Sequence, residues 1–172
     1  GKNGWLGIAS IWAQGDHITQ GTTKLNDTYF NTASYNTPAW RRLVMCQEIG
    51  HDFGLDHQDE AFGAPNLGTC MDYTSDPDGG GAYGPDNEHP NAHDYAQLES
   101  MYAHLDALTT IAASKASSAQ EEITDDPRSW GREVRASRYG RASVYERELK
   151  DGTTVLTHVF WVEDGKNRRD QH

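Results

Sequence analysis

Residues 47–57 read Gln-Glu-Ile-Gly-His-Asp-Phe-Gly-Leu-Asp-His, and the fold and chemistry of the chain are read outward from them. Side chains four apart on a helix lie on one face, one turn above the other, so Gln47 and His51 can address a single point. Glu48 projects about 100° away from Gln47 on the same helix. It can reach a water at that point without itself being a ligand. Gly54 permits the left-handed backbone that ends a helix and turns the chain back. The returning chain brings His57 to the same point from another direction. Three protein donors with a fourth position left for water is the arrangement of a catalytic rather than a structural zinc site. Such an ion brings the pKa of its water near neutrality, and a neighbouring glutamate can take the proton.

A second segment fits the first. Residues 69–73 read Thr-Cys-Met-Asp-Tyr; Met71 follows His57 by fourteen residues, and Tyr73 follows Met71 by two. Together the two segments resemble the metzincin zinc metallopeptidases, whose signature is His-Glu-x-x-His-x-x-Gly-x-x-His followed by a methionine turn. The resemblance covers roughly residues 5–108, and the long motif with its Met-Asp-Tyr turn is far more specific than a bare His-Glu-x-x-His. It implies an α+β metzincin-like domain with a mixed sheet, an active-site helix, the methionine turn and a closing C-terminal helix. It implies zinc held by Gln47, His51 and His57 above an apolar floor at Met71. Glu48 then has the role of general base and acid, and Tyr73 that of an oxyanion donor. The implied reaction is hydrolysis of internal peptide bonds in a peptide or protein substrate. Only forty-six residues precede Gln47. Metzincin domains usually carry more, so the resemblance implies an N-terminal strand and helix beyond this chain.

The chain departs from the signature at its first ligand. Gln47 offers a neutral amide oxygen where the pattern supplies an imidazole nitrogen, and zinc prefers nitrogen and sulfur while accepting oxygen. Three readings follow. Gln47 coordinates through its carbonyl oxygen; or a second water fills the gap; or the site is inactive, and the domain is a pseudo-protease that grips peptides or proteins without cutting them.

Cys46 and Cys70 are the only cysteines, one beside Gln47 and the other beside Met71. The resemblance packs the helix on the methionine turn, which would bring the two together. A disulfide, two buried thiols and Cys46 as an extra ligand all stand as readings. The last is the poorest, since Cys46 points about 100° away from Gln47.

Composition bounds the partners. The 172 residues carry a formal net charge of −11, with 35% hydrophobic residues, low enough that part of the chain is expected to be loop or tail. Residues 1–108 hold fifteen Asp and Glu against four Lys and Arg, whereas residues 109–172 hold eleven of each. An acidic catalytic part argues against a nucleic-acid partner, which wants a basic face. It fits a soluble, extracellular (secreted) protein. No run approaches the length of a membrane span, and no signal peptide is expected in the chain as it begins at Gly1. Oligomeric state is not encoded in any pattern here.

The remaining segments place the motif. Residues 5–12 are near-continuously apolar and read as a buried strand. Residues 17–25, rich in threonine, read as an exposed edge strand; by resemblance they are the strand along which extended substrate would lie. Thr37 caps the motif helix and Pro38 suits its first turn, with Trp40, Leu43 and Val44 facing the core. Asp56 and Asp59 flank His57 as surface residues or as acceptors for an imidazole. Residues 74–92 form a long loop whose Asp76, Asp78, Asp86 and Glu88 offer hard oxygens to calcium, though without a defined ligand spacing. His89 and His93 read as solvent-facing or capping residues. Residues 93–108 read as a helix begun by Asp94, with Leu98, Met101, Tyr102 and Leu105 as a core stripe.

Beyond residue 108 the composition changes. Residues 109–127 read as a linker or helix extension. Residues 128–172 read as a β-hairpin appendage turning at Asp151-Gly152, a tight-turn pair. A lone hairpin must pack on something, and Trp130, Phe160 and Trp161 are the candidates. Arg128, Arg132, Arg135, Arg138 and Arg141 recur every three or four residues, as a solvated surface or as a face that docks on the acidic part.

Overall fold

A computed structural model describes residues 1–104, 123–136 and 141–163. The fold is α+β, with the strand and helix order β1 (Trp5–Gln14), β2 (His17–Leu25), α1 (Asp27–Phe30), α2 (Pro38–Asp52), α3 (Ala92–Met101), β3 (Arg132–Ala136), β4 (Ala142–Glu148) and β5 (Thr154–Trp161). A 3-10 turn at Pro127–Ser129 precedes β3.

The five strands form one sheet in the order β2-β1-β5-β4-β3. Every pairing of these strands is antiparallel, so among the described residues the sheet is not the mixed one expected. The local reason is that β1–β2 and β4–β5 are joined by short turns, which give antiparallel neighbours. Gly15 and Gly152, at φ 58° and 82°, supply the left-handed positions those turns require. The expected hairpin thus forms around Asp151-Gly152, but it does not stand apart as an appendage. β5 pairs with β1 from Trp5↔Trp161 to Ala13↔Thr154, and places the C-terminal strands in the same sheet as residues 5–25. The apolar character of β5 decides this. Val155, Val159 and Phe160 are buried, and a strand buried on both faces belongs inside a sheet.

Both faces of β1 are covered, which explains its unbroken apolar run. On one face Leu6 joins Trp40, Leu43, Val44, Met71, Tyr73 and Phe160 in a core under α2. On the other, Trp5, Ile8 and Trp12 pack with Ile123, Trp130, Val155 and Val159. Each such side chain withdrawn from water contributes about 1.5–3 kcal/mol before entropy is counted. β2 alternates between exposed and half-buried positions and lies at the sheet edge.

Helix α2 begins as its sequence indicates. Thr37 is the N-cap, its side chain accepting from the Trp40 amide, and Pro38 occupies the first turn. Trp40, Leu43 and Val44 are buried. α3 differs from expectation. Asn91 caps it, and Asp94 completes a reciprocal capping box from inside the helix. The helix ends at Met101. Of the expected core stripe, Leu98 packs on the core, Met101 and Tyr102 are exposed, and Leu105 lies outside the described residues. The 109–122 part of the expected linker and Arg138 also lie outside them. No helix of the described residues is long and apolar enough to cross a membrane.

Candidate functional site

The motif segment folds into the C-terminal half of α2 and the turn after it. Gly54 has φ 89°, and the amides of Phe53, Gly54 and Leu55 close back onto Ile49, Gly50 and His51 carbonyls. Residues beyond the turn then run beside the methionine turn. Gln58 N donates to Met71 O at 2.6 Å and Tyr73 N donates to Asp59 O at 3.0 Å. This pairing carries His57 back to the helix.

His51 and His57 converge. Their Nε2 atoms stand 2.9 Å apart, with ring planes 82° to each other. The opposite nitrogens are already committed. His51 Nδ1 lies 2.8 Å from the Leu55 carbonyl, which only accepts, so His51 carries its proton there. His57 Nδ1 lies 3.0 Å from Glu60 Oε1 and donates to that carboxylate. When both rings are neutral, each therefore aims an Nε2 lone pair at the other. Two lone pairs at that distance repel unless one positive charge, a proton or a metal ion, sits between them. Acceptors that fix the far nitrogen are the usual outer shell of a metal-binding histidine. A tetrahedral zinc with Zn–N of about 2.0–2.1 Å holds two nitrogens roughly 3.3 Å apart, a few tenths of an ångström more than here.

Gln47 is fully buried one turn before His51 on α2. Its Nε2 donates to Cys70 O at 2.8 Å, while Oε1 has no hydrogen-bond partner. A buried, unpaired amide oxygen is costly to leave unsatisfied. It fits a third, oxygen donor to a cation. No group of three or more His, Cys, Asp or Glu side chains is arranged for a metal ion among the described residues. In the acidic loop Arg42 pairs with Glu88, and Asp86 caps the Glu88 amide. His89 is exposed beside Asp86, and His93 is exposed on α3.

Glu48 is 1% exposed and turned toward β1. A Cβ on Gly7 would lie 2.5 Å from Glu48 Oε1, so glycine at that position makes the room. Neither carboxyl oxygen completes a hydrogen bond. Burial first, then the charge of Asp52, push the Glu48 pKa well above the ordinary carboxylate range. Met71 lies directly beneath the helix: a Cβ on Gly50 would stand 2.5 Å from its sulfur. Cys46 and Cys70 are joined as a disulfide, with Cα atoms 5.9 Å apart. Tyr73 is buried against His57, Phe62 and Phe160, and burial raises its phenol pKa well above 10, so it is a donor.

Compared with protein-family models, with curated proteins and with solved structures, the chain matches none.

Three groups near the histidines are not singled out for this site by the sequence. Glu60, three residues beyond His57, takes the acceptor role for which Asp56 and Asp59 are the sequence candidates; its spacing is the signal that could find it. Asp56 instead caps the His57 amide and pairs with Arg135 of β3, which holds its pKa down against the effect of burial. Arg135 also approaches Glu60 at 4.0 Å. Arg135 therefore does dock on the acidic part, while Arg128 and Arg132 form exposed pairs with Asp126 and Glu146. His158 of β5 stacks on His51, centroids 4.0 Å apart and planes 17° from parallel. Burial first lowers its pKa, to about 3, so this ring is neutral. Its sequence context of alternating β residues carries no signal of a partner more than a hundred residues away. Conversely, the strand at 17–25 faces α2 through Thr23, which bonds Asp52 at 2.8 Å. The side of β1 nearer His51 is paired with β5, where Ala9 opposes His158.

Proposed function

We propose that this chain is a zinc-dependent endopeptidase of metzincin type, hydrolysing bonds in a peptide or protein substrate. The observation that carries the reading is the 2.9 Å approach of two Nε2 atoms whose far nitrogens are both engaged. His51 and His57 would hold the ion through Nε2, and Gln47 through its unpaired Oε1. When bound, zinc supplies Lewis-acid polarisation of a carbonyl and acidification of water. The chain's own residues do the rest. Glu48, turned toward β1 and with a raised pKa, would have to ionise and swing toward the histidines to take a proton from the attacking water and return it to the departing amine. Tyr73, a neutral phenol, donates to the oxygen on which negative charge develops. Glu60 and the Leu55 carbonyl keep the two imidazoles in the tautomer that frees Nε2. The resemblance in sequence and the disulfide between Cys46 and Cys70 together favour an extracellular setting.

A second reading is favoured by one observation. His51, Glu48 and Tyr73 are at most 3% exposed, and Glu48 faces β1. On this reading the fold is a non-catalytic module that grips peptides without cutting them. Metal analysis of the purified full chain and turnover of an unstructured protein by wild type and Glu48→Ala decide between them. Stoichiometric zinc with turnover lost in Glu48→Ala supports the peptidase. A metal-free, chelator-insensitive protein removes it.

A further inference from the structure

The C-terminal strands reach the paired histidines with side chains that the motif does not account for, and His158 is the closest of them. Its ring lies flat on His51 at 4.0 Å. A metal bound to an imidazole nitrogen lies in the plane of that ring. Two nearly parallel planes stacked at this separation share no such point, so His158 is not a co-ligand with His51. Its Nδ1 also has no hydrogen-bond partner, so no bond from that atom holds the ring in place. Its backbone, by contrast, is fixed by strand pairing. His158 is paired with Ala9 on one side and Val144 on the other, in the middle strand of the sheet.

We propose that His158 is a positioning residue for His51: its flat ring, carried by β5, fixes the His51 ring plane so that Nε2 points at His57. The tether through Cβ and the bond from His51 Nδ1 to the Leu55 carbonyl set where the ring lies, but a single hydrogen bond resists tilting of the ring plane only weakly. A planar neighbour lying along the face removes that last freedom. Phe160 stands in a comparable relation to Tyr73, edge-on at 4.9 Å, so β5 braces two groups of the site from one strand. The role of this bracing in metal binding rests on the peptidase reading; the bracing itself does not.

The test uses the full chain as wild type, His158→Phe and His158→Ala, with His158→Leu in place of the alanine variant should that fail to fold. In metal-free protein, NMR of the His51 ring is expected to show one sharp set of signals and a protected Nδ1–H in wild type and His158→Phe. The alanine or leucine variant, lacking a flat face, should broaden both. In a cobalt(II) titration followed by absorption, that variant should bind roughly tenfold more weakly with an altered ligand-field spectrum, a loss typical of outer-shell defects, while His158→Phe keeps the wild-type spectrum. Signals and spectra unchanged in all variants would overturn the proposal. So would a phenylalanine variant as impaired as alanine, which would show that the nitrogens of His158 matter, or tighter cobalt binding in His158→Ala, which would make β5 a cover. If wild type takes up no cobalt while the ring signals behave as expected, the metal reading fails and the positioning role stands.

Discussion

His57 is tied to Glu60 by a 3.0 Å bond from Nδ1, and the Glu60 side chain is only 20% exposed while that of His57 is 2% exposed. The pair lies out of most of the solvent that would screen it. It fixes the tautomer that frees Nε2 of His57 and raises the donor strength of that nitrogen. Glu60→Gln should therefore lower zinc affinity about 10–100-fold without unfolding the chain. Competition with a chromophoric chelator measures this. An unchanged affinity would mean that the Glu60 contact is incidental to the site.

Gln47 permits a change in the opposite direction. Its Nε2 is held by Cys70 O and its Oε1 is unpaired. Histidine at this position can replace the amide oxygen with a nitrogen, the donor zinc prefers. Gln47→His is expected to tighten zinc binding in the same competition assay. If affinity does not rise, the Gln47 side chain is not directed at the ion. Gln47→Leu strands the Cys70 carbonyl, at a cost of about 1–3 kcal/mol, but also removes the unpaired Oε1, which carries a cost of the same order, so metal-free stability should change little.

The motif is legible in the sequence because its information is local. Helix periodicity, the Thr37 cap, the Gly54 turn and the i, i+4 spacing each act within a few residues. Physics at that range is written in neighbouring letters. The same holds for the Asp151-Gly152 hairpin. What the letters do not carry is where that hairpin goes. β5 meets β1 across more than 140 residues of chain, and nothing in Thr154–Trp161 names Ala9 as the neighbour of His158. The joining of the two hairpins into one sheet, the Arg135 contact and the His158 stack all depend on that one long-range pairing. The α3 stripe misleads for a different reason. Periodicity shows which residues share a helix face, but not that the helix stops at Met101 and leaves that face largely uncovered.

The disulfide couples stability to the site. Cys46 and Cys70 are separated by 24 residues, and closing a loop of that length restricts the unfolded chain by about 3 kcal/mol. The double variant Cys46→Ala/Cys70→Ala should lose roughly that much in a denaturant titration. Because the Cys70 carbonyl also holds Gln47, zinc affinity should fall in parallel. Loss of stability with unchanged zinc affinity would separate the bond from the site.

Asp126 gives a pH reporter remote from the histidines. The Arg128 guanidinium and backbone amide hold its pKa at about 2, below the ordinary 3.8. A depressed carboxyl pKa contributes stability that is present above the unfolded value and disappears as pH falls through the folded one. The contribution is therefore intact above about pH 4 and lost toward pH 2. The pair is exposed, so the effect on global stability is slight. Its signature is the carboxyl NMR titration: a midpoint near 2 in wild type, returning toward the ordinary value in Arg128→Ala. A wild-type midpoint at the ordinary value would mean that the pair does not persist in solution.

Gly50 sets two effects of known size against each other. Within a helix, glycine to alanine gains about 1 kcal/mol of propensity. At this position, however, the new Cβ would stand 2.5 Å from the Met71 sulfur and 3.3 Å from its methyl. Met71 is fully buried, so it cannot swing clear, and overpacking of this kind costs about 1–3 kcal/mol. Gly50→Ala is therefore expected to lower the melting temperature rather than raise it. Adding Met71→Ala should cost less in the Gly50→Ala background than in wild type, since it relieves the contact, and a double-mutant cycle of thermal midpoints reads the difference. Strict additivity would show that Met71 does not press on the helix beside His51.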